Sequence, residues 1–96
     1  MINVKEKLNE FTQLLDLIES LLLEKVSREV IYSALKDAAF CYWKLSLNFL
    51  KTQAEFILNH KEFDEEEIYD GYSNMISFND LTARFAAITE VFDNYN

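Results

Sequence analysis

Glycine and proline, the residues that most often interrupt helices and end strands, are almost absent from this sequence. Its 96 residues include one glycine, Gly71, and no proline. Because both residues mark turns and strand ends, a chain that lacks them is expected to form long uninterrupted helices. Half of the residues are apolar and 15% are aromatic, which is enough core material for one small domain. We therefore predict an all-α protein with a single domain over residues 1–96.

Three long segments have the apolar spacing of amphipathic helices. The first covers residues 3–25, the second 27–59 and the third 63–93. In each segment apolar residues recur every three or four positions, and no segment shows strand-like alternation. A second helix-start pattern within the third segment predicts a kink or split over residues 71–77. The expected fold is a single antiparallel bundle of three long helices with the last kinked or split, which makes a three- to four-helix bundle.

Negative charge is concentrated in the last third of the chain. Residues 1–60 contain eight acids and seven bases, whereas residues 61–96 contain nine acids and two bases, so the latter hold seven of the eight net negative charges. Six of these acids lie close together among tyrosines, and such a surface on a small protein is suited to a basic partner. The predicted partner-binding residues are Glu62, Asp64, Glu65, Glu66, Glu67, Tyr69, Asp70 and Tyr72.

Part of this acidic run has a purely structural interpretation. Asp64 can cap a helix, and Glu67 follows it at the spacing of a capping box. Carboxylates in a first turn are also stabilised by the helix dipole, each by about 0.3–1 kcal/mol. Neither effect accounts for Glu62 or Asp70, which lie outside that turn.

The residues that could support chemistry or hold a metal give no coherent site. A calcium loop with Gly71 at its sixth position would end in Ser77 instead of the glutamate that this loop requires. His60 stands at a helix end and lacks the neighbours expected of a phosphotransfer histidine, and Cys41 between two aromatic residues is expected to be a packed apolar residue. We expect no catalytic residue, no cofactor and no metal, and therefore not an enzyme.

The second helix has more apolar surface than two neighbouring helices need. A second apolar band runs beside its core stripe and predicts a homodimer face or a groove for a partner helix. The residues proposed for this face are Tyr32, Trp43, Leu47 and Leu50.

Charge and cysteine content limit the kinds of partner and the compartment. A net charge of −8 argues against direct binding to nucleic acids and to anionic membranes. A single cysteine, together with the absence of a signal peptide or a membrane-spanning apolar run, predicts a cytoplasmic protein.

These features favour a small acidic protein that binds another protein. The more specific hypothesis is an inhibitor, namely an immunity protein, antitoxin or phage-type antagonist that covers the cationic surface of a nuclease toxin or other nucleic-acid-binding protein. Over Glu65 to Tyr72 the chain resembles the helical immunity proteins of nuclease bacteriocins, with Ile68-Tyr69-Asp70-Gly71-Tyr72 in the place of that family's adjacent tyrosine pair. This resemblance implies carboxylates and tyrosines around a short third helix. The alternative is a homo-oligomeric adaptor or structural subunit whose interface is the second helix.

Overall fold

The computed structural model describes residues 2–59 and 62–95, which form three helices. Helix α1 spans Val4–Glu24, α2 spans Arg28–Leu58 and α3 spans Glu65–Asp93. Within the two described ranges there is no β-strand, so the all-α prediction is confirmed. The predicted limits of the three segments agree with these helices to within two residues.

Both ends of α1 are closed by local hydrogen bonds. At its start the side-chain oxygen of Asn3 accepts the backbone N–H of Glu6 at 3.1 Å. At its end Lys25 takes a left-handed conformation with φ of 56°, and its N–H donates to the carbonyl of Leu22 at 3.3 Å. The N–H of Val26 donates to the carbonyl of Leu21 at 3.5 Å. This Schellman turn satisfies the last carbonyls of α1 and directs the chain into α2.

Helix α2 runs antiparallel to both of its neighbours. Its middle lies beside the start of α1, because the thiol of Cys41 donates to the carbonyl of Lys7 at 3.4 Å. Its start lies beside the end of α3, because the guanidinium of Arg28 donates to the carbonyl of Phe92 at 3.0 Å. The resulting molecule is elongated, with extents of 50 × 20 × 20 Å.

The core is a column of apolar side chains between the three helices, with a group of aromatic rings where all three meet. The ring of Phe11 packs edge-on against that of Phe85 at a centroid distance of 5.6 Å, and Tyr42 stacks on Phe78 at 5.3 Å. Such ring pairs are stabilised by about 0.5–1.5 kcal/mol beyond their burial. The buried residues are Leu8, Phe11, Leu15, Ile18, Ile31, Ala34, Leu35, Ala38, Cys41, Leu45, Phe78, Ile88 and Phe92.

One arginine connects α3 to α1 through two carboxylates. Arg84 donates from Nε to Glu19 and from Nη2 to Asp16, both at 2.6 Å. These hydrogen bonds, the one to Glu19 first, raise the pKa of the Arg84 guanidinium further above its already high value. The positive charge of Arg84 is therefore balanced by α1 and not by the acidic residues of α3.

The core ends well before α2 does. The last buried residue of α2 is Leu45 and the first of α3 is Phe78, whereas α2 continues for another thirteen residues to Leu58, a length of about 20 Å. We call residues 46–59 and 62–77 the distal hairpin. In it, the stripe of α2 that faces α1 changes from apolar residues (Ala34, Cys41 and Leu45) to polar ones (Asn48, Thr52 and Asn59). The apolar part of this stripe therefore ends at the level where α1 begins.

The predicted kink or split over residues 71–77 is not confirmed, because α3 is continuous from Glu65 to Asp93. Gly71 is exposed, its φ is not positive, and a Cβ added to it would meet no atom within 4 Å. A glycine inside a helix costs about 1 kcal/mol. This cost does not end a helix whose following turns pack into the core through Phe78.

Candidate partner-binding site

Asp64 fixes the start of α3, as its sequence position predicts. Its side-chain oxygen accepts the backbone N–H of Glu67 at 2.8 Å, and its carbonyl accepts the N–H of Ile68 at 3.1 Å. Glu65, Glu66 and Glu67 occupy the first turn, where the positive end of the helix dipole stabilises carboxylates. The predicted cap is confirmed, and the acidic residues begin where they also stabilise the helix.

All of the predicted acidic residues are exposed, as are the two tyrosines among them. The side chains of Tyr69 and Tyr72 are 72% and 67% accessible. Among residues 2–59 and 62–95, none of the carboxylates of the acidic cluster forms an ion pair. The members of this cluster are Glu62, Asp64, Glu65, Glu66, Glu67 and Asp70.

Helical spacing divides this surface into two adjacent strips. Glu65, Tyr69 and Tyr72 recur at steps of four and three, so they share one side of α3. Glu66 and Asp70 are four residues apart and lie about 100–140° around the helix from Glu65. The structure thus places a strip of tyrosines beside a strip of carboxylates within the first two turns of α3.

The two helices of the distal hairpin are joined by an aromatic contact. The rings of Phe56 and Phe63 stack with centroids 5.6 Å apart and an interplanar angle of 17°. Because Phe63 directly precedes Asp64, this contact positions the start of α3 against the end of α2. The acidic cluster is therefore attached to a defined place on the fold.

A second exposed surface lies on α2, on the side away from the core. Its members are 57–65% accessible in every large side chain, and they follow one another at alternating steps of three and four residues. We call this set the outer seam; it consists of Phe40, Trp43, Leu47, Leu50, Ala54 and Ile57. Three of the four residues predicted for the oligomer face belong to it, and the missing members could have been found by extending the same spacing along the helix.

Tyr32 is exposed but does not belong to the outer seam. Its ring stacks with Phe92 of α3 at a centroid distance of 6.5 Å, and the ammonium of Lys36 lies 5.5 Å from its centroid. Tyr32 therefore packs on α3, whereas Trp43 and Leu47 are 65% and 57% accessible.

Cys41 has the environment of a packed residue. It is 2% accessible, and burial raises the pKa of its thiol. Glu10 also raises this pKa, while Lys7 and Lys44 lower it. A buried thiol that is held neutral is a poor nucleophile.

Within residues 2–59 and 62–95 no group of three or more histidine, cysteine, aspartate or glutamate side chains is arranged to hold a metal ion. His60 lies outside the described residues. Two surface depressions, one beside Arg28 and Phe92 and the other beside Leu22 and Arg84, are both open to solvent. In the described part of the chain, no helix has a stretch long and apolar enough to cross a membrane.

Comparison with known proteins assigns this chain to no family. No family model matches it, and neither a curated protein nor a solved structure is similar at a significant level.

Proposed function

We propose that this protein is an acidic protein-binding module that acts as an inhibitor. In this proposal the start of α3 docks on the cationic surface of a nucleic-acid-acting protein, in the manner of an immunity protein, antitoxin or phage-type antagonist. The observation that carries it is the cluster of exposed carboxylates over residues 62–70 with two exposed tyrosines beside it.

The acidic cluster contains more charge than the helix start requires. A single side chain, Asp64, supplies the capping hydrogen bond. Glu62 precedes the helix and Asp70 lies beyond its first turn, where the dipole has little effect. Arg84, one of the two bases of the last third of the chain, is engaged by carboxylates of α1. With six carboxylates over residues 62–70, the cluster is a strongly negative surface.

Such a surface is suited to inhibition without chemistry. Carboxylates on a helix can occupy the cationic groups that bind phosphates, and their field accelerates association with a basic protein. Tyr69 and Tyr72 add apolar area and hydroxyl groups at low cost in conformational entropy, which is why tyrosine is frequent among interface hot spots. We place this activity in the cytoplasm, since the chain has a single cysteine.

Charge reversal at two positions tests the proposal. Glu66→Lys with Asp70→Lys removes the carboxylate strip without touching the cap, and surface substitutions of this kind change stability by about 0.5 kcal/mol or less. The matched control is Asp80→Lys with Glu90→Lys, which changes the same charge at two exposed positions further along α3. The partner to test first is a basic nuclease domain encoded by the adjacent gene, with binding rates measured by biolayer interferometry and nuclease activity measured in parallel.

We expect the first pair to slow association and weaken binding by more than about 2 kcal/mol, with loss of inhibition, and the control pair to change binding far less. Raising the salt concentration should slow wild-type association, because the attraction between the surfaces is screened. If both pairs weaken binding equally, only net charge matters. If neither pair affects it, the acidic cluster is only a solvated helix start.

A further inference from the structure

The outer seam has the spacing of a coiled-coil interface, and its five large side chains are each more than half exposed. Its steps of three and four residues correspond to the alternating a and d positions of a heptad repeat. It extends from Phe40 to Ile57, about 26 Å along α2. The core stripe of the same helix, which includes Ile31, Ala38 and Leu45, is buried by α1 and α3 on the opposite side. The fold therefore leaves this second stripe free for another helix.

The apolar area of the outer seam approaches what a stable dimer needs. Five large side chains are each 57–65% accessible. With on the order of 150–250 Å² for an exposed aromatic residue, they present roughly 500 Å² per copy, or roughly 1,000 Å² for a pair of copies. An apolar strip of this size is comparable to the largest patch on a typical monomer, and such patches often serve for binding.

We propose that the occupant of the outer seam is a second copy of this chain, with the two α2 helices packed antiparallel. In this register a and d positions face each other, and each layer pairs residues of complementary size. The layers are Phe40 with Ile57, Trp43 with Ala54, and Leu47 with Leu50 of the second copy. A parallel pair would instead place Trp43 against Trp43, two large rings in a single layer.

One edge of the seam carries a charge pair that the register makes testable. Lys44 and Lys51 occupy equivalent heptad positions beside the seam, and the ammonium of Lys44 lies 4.7 Å from the Phe40 ring centroid. In the antiparallel pair, Lys44 of one copy faces Lys51 of the other, twice per dimer. Lys51→Glu converts both repulsions into attractions and should tighten the dimer on the order of tenfold. A parallel pair would place Lys44 opposite Ala39 and Lys51 opposite Ser46, and would show no such gain.

Analytical ultracentrifugation of the full chain at 1–200 µM, with Trp43 emission recorded over the same dilution series, tests the proposal. We expect a dimer at the higher concentrations, with a blue shift of Trp43 emission on association because Trp43 is 65% accessible in the single copy. Leu47→Glu should give a monomer with an unchanged helical circular-dichroism spectrum. Lys51→Glu should tighten the dimer, whereas Lys5→Glu, the same charge change at an exposed position of α1, should not.

Three results would overturn the proposal. Wild-type protein that stays monomeric at 200 µM with solvent-exposed Trp43 emission would show that the seam does not bind a second copy. A dimer that survives Leu47→Glu would place the interface elsewhere. A dimer that responds equally to Lys51→Glu and Lys5→Glu would rule out the antiparallel register. None of these measurements involves the acidic cluster, so their failure leaves the proposed inhibitory function to its own test.

Discussion

Replacement of Gly71 by alanine should stabilise the protein, because α3 is continuous through this position. An added Cβ meets no atom within 4 Å, and the φ of Gly71 is not positive, so alanine enters without strain. Alanine is favoured over glycine inside a helix by about 0.8–1 kcal/mol. For a domain of this size a gain of about 1 kcal/mol corresponds to a rise of about 4–8 °C in Tm.

Hydrogen exchange shows whether the gain in stability from Gly71→Ala arises in the part of α3 around residue 71. Backbone amides over residues 68–76 of Gly71→Ala should exchange several-fold more slowly than in the wild type, since opening of the distal hairpin then requires melting of a better helix. Ala83→Gly, at an exposed position of the same helix, is the matched control and should lower stability by a similar amount. If Gly71→Ala lowers Tm or accelerates exchange, the glycine marks a bend that alanine cannot adopt, and α3 is not the continuous helix described above.

Three further changes test other parts of the fold. Asp64→Ala removes the cap of α3 and should cost about 1 kcal/mol in urea unfolding, with faster exchange confined to the first turns of α3; an unchanged first turn would contradict the capping role. Lys25→Gly relieves a left-handed conformation and should stabilise by up to about 1 kcal/mol, seen as a higher urea midpoint with an unchanged m-value. Burial raises the pKa of the Cys41 thiol in the folded protein, so the thiol of the unfolded chain loses its proton at a lower pH. The folded state therefore has its full stability below the ordinary thiol pKa, and this part of the stability is lost as the pH rises from there through the raised pKa. Cys41→Ala should therefore reduce the loss of stability between pH 8 and pH 10, and an unchanged slope would show that other groups cause it.

The positions of the helices could be predicted from the sequence because each one follows a regular apolar spacing. Phe11, Leu15 and Ile18, for example, lie on the predicted stripe of α1 and are fully buried. Capping was predicted correctly at Asp64. The residue before α2 is Ser27, the first residue of the second predicted segment, and its side chain makes no capping hydrogen bond.

The sequence was least informative where a local pattern competed with packing. The second start pattern of the third segment predicted a kink or split over residues 71–77, but α3 is continuous there and Phe78 enters the core within the same helix. Tyr32 shares the band of Trp43 in projection, yet it lies opposite the end of α3 and stacks on Phe92. Which apolar residues of a helix remain uncovered depends on where its neighbours end, and spacing within a single helix does not contain this information. The inhibitory role and the acidic binding site remain predictions.

The change from apolar to polar residues along α2 also fixes where α1 can lie. If α1 slid by one turn toward the distal hairpin, its apolar stripe would cover Asn48, and burying such a side chain without a hydrogen-bond partner costs about 1–3 kcal/mol. Sliding in the other direction is opposed by the tight turn at Lys25, which leaves almost no slack between α1 and α2. Helix α1 therefore has a single docked position along the hairpin of α2 and α3. A circular permutant that moved α1 to the other end of the chain on a long flexible linker should still not dock further toward the distal hairpin, because the polar residues of α2 oppose that shift without the turn, and only a shift in the other direction should become possible.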